Sequence, residues 1–194
     1  MTASNVPDLT RNGGASRLRF LRSLEPFLWL ALVIFLLIRF GPQLSAWTGI
    51  GSPGGEAPAL ELVMLDGTRV GPEDTEGRVH VVTFWATWCR VCRVELPALQ
   101  RLHEEWDESG EVVVVGLSID TGGADVVRAH VSEAGYAFPV SIVDRRTQAL
   151  FGGVPGVPTT IVIDREGQIR HTMVGLSGPG TLRRAVRRLL DEGD

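Results

Sequence analysis

The sequence contains no lysine, so all 19 of its basic residues are arginine, and it has only two cysteines. Two cysteines are too few for a disulfide scaffold or for a zinc site built from four thiolates. No block of basic residues suited to a phosphate backbone occurs, so we expect no binding of nucleic acid. Hydrophobic residues make up 44% and charged residues 22% of the 194 positions, which excludes a wholly disordered or collagen-like chain.

The charges divide the chain into two parts. Residues 1–56 carry five Arg and three acidic residues, a net charge of +2, whereas residues 57–194 carry 14 Arg and 20 acidic residues, a net charge of −6. From this division and the hydropathy we predict four segments in order: a cytoplasmic tail over 1–20, a membrane anchor over 21–47 with its core at 26–40, a flexible linker over 48–58, and a folded domain over 59–194.

An apolar segment near the N-terminus predicts the anchor. Residues 26–38 are uncharged, and a helix over 21–47 supplies the roughly 20 residues that span a bilayer, provided that Arg39 extends its charge to the outer headgroups. An Arg cluster over 17–22 favours a cytoplasmic N-terminus and an exported domain. We favour a retained anchor over a cleaved signal peptide because no clean cleavage site follows, residues 43–46 being a poor match.

The rest of the sequence alternates strand and helix patterns. A hairpin with its turn at Asp66-Gly67 comes first. The elements predicted after it are strands over 79–85, 112–119, 138–143, 159–163 and 168–174, and helices over 89–107, 124–134, 147–151 and 179–190. This order predicts an α/β domain with a mixed central sheet and helices on both faces. Four Arg on the last helix are interpreted as a solvated face.

The two cysteines lie where the strand over 79–85 passes into the following helix. Cys89 falls at the helix N-terminus, where unpaired backbone N–H groups, the helix dipole and Arg90 stabilise a thiolate. Two intervening residues allow Cys92 to close a small disulfide ring with Cys89, which gives an attacking and a resolving thiol. Half of a zinc site, a Cu(I) site of two thiolates and a purely structural disulfide stay open as alternatives at this point.

The domain over 57–190 resembles the thioredoxin superfamily, and specifically the membrane-tethered TlpA/ResA-like thiol–disulfide oxidoreductases of bacteria. The motifs that carry the resemblance are Phe84-Trp-Ala-Thr-Trp-Cys-x-x-Cys92, then Glu95 and Pro97, and later Gly156-Val-Pro-Thr-Thr160. Within the group the sequence is similar to the ScsD type, which is linked to copper tolerance. The resemblance implies a thioredoxin-like fold, a redox-active Cys89–Cys92 disulfide, no other cofactor and no metal.

The resemblance also implies roles for residues around this pair. Cys89 is the expected nucleophile and Cys92 the resolving thiol, with Trp88 packed beside them. Pro158 matches the family's cis-proline, and an X–Pro bond just before a strand is a candidate cis peptide. Val157 would offer backbone hydrogen bonds to an extended substrate segment, as in strand addition.

One departure from the thioredoxins proper concerns the buried acid. Thr83 stands where those proteins have a buried Asp, whereas Glu95 matches an acid that this family has three residues after the second Cys. Helical spacing places Glu95 on the same face as Cys92. Partial burial would raise its pKa and make it a proton acceptor; an ordinary surface glutamate is the alternative.

We therefore expect a tethered, monomeric reductase of protein disulfides in the bacterial cytoplasmic membrane, with its domain on the periplasmic side. A membrane thiol relay would supply electrons, as is usual for the group, and substrates with disulfides or thiols would be its partners. Arg90 and Val91 separate the cysteines, without the His of strongly oxidising members, which favours a reducing couple. Apocytochrome c, a copper-centre assembly factor and a partner oxidoreductase are all open as substrates.

Two other activities on the same fold are weighed against this one. A copper-binding chaperone is the main alternative, although copper carriers of this superfamily usually space their cysteines one residue wider and add a distal His. A peroxidase would need a Thr-x-x-Cys site, which is absent here.

Overall fold

The computed structural model describes residues 29, 30, 32, 55–74 and 76–192. The chain divides into two units, residues 1–45 and residues 46–194. In the first unit, Trp29, Leu30 and Leu32 are helical and exposed. The predicted tail, the rest of the predicted anchor and most of the predicted linker lie outside the described residues. Within the described ranges, no helix combines the length and the apolar composition needed to cross a membrane.

A five-stranded mixed sheet forms the centre of the second unit. Its order is β5-β4-β3-β6-β7, and a separate hairpin consists of β1 and β2. The strands are β1 (Leu62–Val63), β2 (Arg69–Val70), β3 (Val79–Trp85), β4 (Val112–Ser118), β5 (Val140–Ile142), β6 (Thr159–Ile163) and β7 (Ile169–Val174). The helices are α1 (Arg90–Trp106), α2 (Ala124–Ala134), α3 (Arg145–Leu150) and α4 (Pro179–Glu192).

The directions of the central strands bring three segments of the chain together at one end of the sheet. β4 runs parallel to β3, and Trp85 pairs with Ser118 at their carboxyl ends. β6 runs antiparallel to β3, so its first residue, Thr159, pairs with Phe84. The ends of β3 and β4 and the start of β6 therefore meet where α1 begins.

The side chains of β3 alternate between two hydrophobic layers. Trp85 belongs to the layer that contains residues of α1, α2 and α4, such as Leu99 and Val127. Phe84 belongs to the opposite layer, which includes the hairpin and Phe151, whose ring lies 5.3 Å from that of Phe84. The three long helices thus share one face, and the other face is covered by the hairpin and by the segment that follows the short α3.

Most predicted elements agree with the structure to within one residue, and two begin elsewhere for local reasons. β5 begins at Val140 rather than 138, because Pro139 has no N–H to donate to a neighbouring strand. α3 begins at Arg145 rather than 147. Asp144 caps this helix by accepting a hydrogen bond from the Thr147 N–H at 2.9 Å, as N-cap aspartates do.

The predicted flexible linker ends earlier than residue 58. The Ile169 N–H donates to the carbonyl of Gly55 at 2.9 Å, and the Ala57 N–H donates to that of Gly167 at 2.8 Å. These backbone bonds attach residues 55–57 to the edge of the sheet beside β7, so they belong to the domain.

The arginines of α4 are exposed as predicted, but two of them also hold helices together. Arg183 and Arg187 lie 2.6 and 2.9 Å from the same carboxylate oxygen of Glu105 on α1. These two arginines of α4 therefore have an acidic partner within the domain, in addition to facing solvent.

Candidate active site

Cys89 and Cys92 lie at the start of α1, directly after the carboxyl end of β3. They form a disulfide with their Cα atoms 5.3 Å apart. Cys89 is the N-cap residue of α1, and its Sγ accepts a hydrogen bond from the Cys92 N–H at 3.0 Å. A helix leaves its first N–H groups unpaired, so these donors are available to a thiolate at Cys89. Cys89 is 6% exposed and Cys92 is fully buried, so an external sulfur reaches Cys89 first.

A buried carboxylate holds the loop that presents Cys89. Asp120, just beyond the end of β4, accepts hydrogen bonds from the Thr87 N–H at 2.9 Å, from the Thr87 hydroxyl at 2.7 Å and from the Ser118 hydroxyl at 2.8 Å. Arg93 of α1 donates to the Thr87 carbonyl at 3.1 Å. Thr87 is thus fixed from both sides, two residues before Cys89. Sequence reasoning missed Asp120, whose signal was its place at the carboxyl end of a buried parallel strand.

The loop before β6 lies against the disulfide from another side. The Val157–Pro158 peptide bond is cis, as its place before a strand indicated. The Val157 carbonyl oxygen lies 3.5 Å from Cys89 Sγ. The Pro158 carbonyl accepts a hydrogen bond from the Gly175 N–H at 2.8 Å. The Val157 backbone therefore lies beside the sulfur that a bound substrate segment would approach.

A series of polar side chains linked by hydrogen bonds ends at Glu95. Glu95 lies three residues after Cys92 on α1 and is only 2% exposed, so the surface-glutamate alternative is wrong. Its Oε1 accepts hydrogen bonds from the Thr160 hydroxyl at 3.0 Å and from the Ser177 hydroxyl. The Thr83 hydroxyl lies 3.0 Å from that of Thr160. Because Thr160 has a single hydroxyl hydrogen, which goes to Glu95, Thr83 donates to Thr160.

The other carboxyl oxygen of Glu95 stands apart from this series. Oε2 is buried and has no hydrogen-bond partner in the part of the chain that the structure describes. Burial raises the pKa of Glu95 above its ordinary 4.5, while hydrogen bonds from Ser177 and Thr160 lower it less strongly. Desolvation disfavours the charged carboxylate, so this group exchanges its proton closer to neutral pH than an exposed glutamate does. Such a group is suited to general acid–base work.

The two tryptophans of the motif occupy different environments. Trp85 is fully buried in the core, whereas Trp88, directly before Cys89, is 63% exposed. Val91, between the cysteines, and Val94 are also exposed. Exposed apolar side chains thus surround the start of α1.

The structure brings together most of the residues that the sequence singled out. Val157 lies against Cys89, and Glu95 shares a helix with Cys92. The sequence did not predict Thr160 and Ser177 as the hydroxyl partners of Glu95. The two adjacent threonines at 159–160 were only a weak signal for the first of them. In the described ranges, no group of three or more His, Cys, Asp or Glu side chains is arranged to hold a metal ion. Cu(I) binding by the two sulfurs would require reduction of their disulfide first.

Comparisons with known proteins point to one class. Residues 53–172 match the AhpC/TSA family. The thiol:disulfide interchange protein DsbE of Pseudomonas aeruginosa is 33% identical over 173 residues, which cover 86% of this chain and 91% of DsbE. The thiol-disulfide oxidoreductase ResA of Bacillus thuringiensis is 30% identical over 125 residues, which cover 63% of this chain and 69% of ResA.

A solved structure shares the fold. A thiol:disulfide interchange protein of the thioredoxin family from Chlorobium tepidum has a TM-score of 0.65 and 27% identity, covering 72% of this chain and 99% of its own. The resemblance that the sequence motifs suggested is thereby confirmed for the family and the thioredoxin-like fold.

Proposed function

Because the chain belongs to the AhpC/TSA family and is a thiol–disulfide oxidoreductase of the thioredoxin-like fold, we propose that it is a membrane-tethered, extracytoplasmic reductase of protein disulfides. The observation that supports the reductase role is the burial of two groups three residues apart on α1, Cys92 and Glu95, next to a more accessible Cys89. A reductase must activate its resolving thiol to release the product, and Glu95 provides a proton acceptor for that step.

The proposed reaction starts from the dithiol. The Cys89 thiolate attacks a substrate disulfide, forms a mixed disulfide and releases the first substrate sulfur as a thiolate. Glu95 then takes the proton of Cys92, and the Cys92 sulfur attacks Cys89 Sγ. The bond between Cys89 and the substrate breaks, and the second substrate sulfur leaves with the electron pair and takes a proton from water. Two electrons pass to the substrate, and the Cys89–Cys92 disulfide is formed.

The direction of electron flow rests on how little the Cys89 thiolate is stabilised. Arg90 is exposed, so solvent and salt screen its charge, and Val91 adds none. A less stabilised thiolate makes the disulfide relatively more stable and the couple more reducing. We expect a reduction potential nearer to about −270 mV, as in thioredoxin, than to the roughly −120 mV of a strong oxidant.

The tether rests on the sequence before the domain. The match to DsbE covers 86% of this chain, more than residues 55–192 supply, so it extends into the sequence that precedes the domain. The 13 uncharged residues of 26–38 lie in the sequence before the domain, and the Arg residues ahead of them favour a cytoplasmic N-terminus. We accordingly assign 1–20 to a tail, 21–47 to an anchor, the following residues to a linker and the rest to a periplasmic domain.

The reduction potential of the full-length protein in detergent, equilibrated against a glutathione redox series, tests the direction. We expect a value well below about −180 mV, the region of protein disulfide isomerase. A more positive potential would refute the reductase assignment and favour an oxidase or isomerase.

A trapping experiment identifies the partners of this proposed monomer. Cys92→Ala should hold substrates on Cys89 as mixed disulfides, whereas the control Cys89→Ala/Cys92→Ala should hold none. Apocytochrome c, a copper-centre assembly factor and another oxidoreductase are the substrate candidates, and a membrane thiol relay is the proposed electron donor. If Cu(I) binds tightly to the dithiol while disulfide exchange stays slow, the copper-chaperone alternative replaces this function.

Topology is tested in intact cells. A membrane-impermeant thiol reagent should label reduced Cys89 once any outer membrane has been permeabilised. Protection of that thiol until the cytoplasmic membrane is lysed would contradict an extracytoplasmic domain.

A further inference from the structure

The loop between β7 and α4 contacts two parts of the site at once. The Gly175 N–H donates to the Pro158 carbonyl at 2.8 Å, and two residues later the Ser177 hydroxyl donates to Glu95 Oε1. Gly175 and Gly178 have φ values of 83° and 63°, which glycine adopts without the steric penalty of a side chain. The loop is therefore bonded to the cis-proline segment at one end and delivers a hydroxyl to a buried carboxyl group at the other.

Two hydroxyls converge on one oxygen of Glu95 and leave the other free. Thr160, two residues after Pro158, donates to the same Oε1 as Ser177 does. Two donors that arrive from different elements resist rotation of the carboxyl group. Oε2 has no partner among the described residues, so it is the oxygen with room for a proton.

We propose that Ser177 is a positioning residue: together with Thr160 it fixes Oε1 of Glu95, so that Oε2 is presented as the acceptor of the Cys92 proton. The inference rests on the proposed function, because it assumes that Glu95 accepts this proton. Ser177 itself exchanges no proton and touches no reacting sulfur in the resolving step described above.

Several charged groups on the surrounding elements have partners other than Glu95. Arg183 and Arg187 of α4 pair with Glu105, Asp120 beyond β4 binds Thr87 and Ser118, and Arg93 of α1 binds the Thr87 carbonyl. The pKa of Glu95 is set by burial, which raises it, and by the hydroxyls of Ser177 and Thr160 and the Ser177 N–H, which lower it. Removal of the Ser177 hydroxyl therefore raises this pKa further and leaves the backbone contribution in place.

A two-phase exchange reaction isolates the step in question. Reduced full-length protein in detergent is mixed with a symmetrical aromatic disulfide. One aromatic thiolate is released when Cys89 attacks and a second when Cys92 resolves the mixed disulfide. The rate of each phase is followed between about pH 5 and pH 9, the range in which a raised carboxyl pKa and a thiol pKa are both sampled.

Ser177→Ala should slow the second phase about tenfold at pH 7, as expected for a lost hydrogen bond to a charged group, and leave the first phase unchanged. The pH profile of the second phase should move to higher pH, because the acceptor ionises later. Ser177→Thr keeps the hydroxyl and should restore both the rate and the profile. Ser132→Ala, an exposed serine on α2, is the matched control and should behave as the original chain.

A double-mutant cycle separates positioning from general damage to the fold. In a Glu95→Gln background, Ser177→Ala should cause no further loss in the second phase, since the group through which it acts is gone. An unchanged second phase in Ser177→Ala would overturn the proposal, as would an equal loss in both backgrounds or a slower rate without a shift of the pH profile. If Glu95→Gln itself leaves the second phase unchanged, the assumed role of Glu95 fails instead.

Discussion

The proposed role of Glu95 as proton acceptor for Cys92 is tested most directly by Glu95→Gln. Glutamine keeps the size of the side chain, and its Oε1 still accepts hydrogen bonds from Thr160 and Ser177. The side chain loses its negative charge and its capacity to take a proton, and an NH2 group replaces Oε2. A change in the resolving step therefore reports charge and acid–base chemistry rather than side-chain size.

The expected slowing of the resolving step in Glu95→Gln follows from the burial of Cys92. This thiol is fully buried, and without Glu95 it must ionise unaided. With the ordinary thiol pKa of about 8.5, roughly 3% is thiolate at pH 7. The second phase of the exchange reaction should then be about 30-fold slower than the fully ionised limit, and it should gain about tenfold per pH unit up to about pH 8.5. Burial of the thiol would make the loss larger.

Stopped-flow release of an aromatic thiolate measures this step, and Glu104→Gln provides the control. Glu104 is an exposed carboxyl group on the same helix, where it accepts a hydrogen bond from Gln100 at 2.9 Å. The control should leave both phases unchanged. If Glu95→Gln shows the same rate as the original chain at every pH between about 5 and 9, Glu95 is not the acceptor and the reasoning from its burial is refuted.

Two further outcomes are expected. In the reduced protein, an alkylating reagent should modify Cys89 before Cys92, because Cys89 is the more exposed and sits at the helix N-cap; faster modification of Cys92, read by mass spectrometry, would reverse the two roles. Glu95→Gln should also change the pH dependence of the free energy of unfolding measured in urea. Since the folded pKa of Glu95 is raised, the original chain loses stability as pH rises from the unfolded value of about 4.5 through the folded value. The variant should lack this loss, so it gains relative stability at alkaline pH and none below about pH 4; parallel curves would contradict the raised pKa.

Local patterns in the sequence were enough to place the sheet and the cysteines. Val79–Trp85 is a run rich in β-branched and aromatic residues, and it forms a strand with the predicted bounds. Cys89 follows that strand and precedes an amphipathic segment, so its place at a helix N-terminus could be read from neighbouring residues alone. These features depend on residues close together in the chain.

The surroundings of Glu95 and of the loop that contains Thr87 could not be predicted in the same way. Thr160 and Ser177 are 65 and 82 positions from Glu95 in the sequence, and Asp120 is 33 positions from Thr87. Serine, threonine and aspartate in loops and at strand ends have many uses, such as turns and caps. Only the packing of β6, the β7–α4 loop and α1 against each other decides that two of these hydroxyls reach the same carboxyl oxygen.

The threonine at position 83 is explained by the direction of these hydrogen bonds. Thr160 spends its one hydroxyl hydrogen on Glu95, so the partner on β3 must be a donor, and the Thr83 hydroxyl meets that requirement. An ionised aspartate at this position could only accept a hydrogen bond. It would compete with Glu95 for the Thr160 hydrogen, and it would add a second negative charge to a buried cluster, which raises the pKa of a neighbouring carboxyl group. With the buried acid Glu95 on α1, position 83 on β3 is thus compatible with a hydroxyl group and not with a carboxylate.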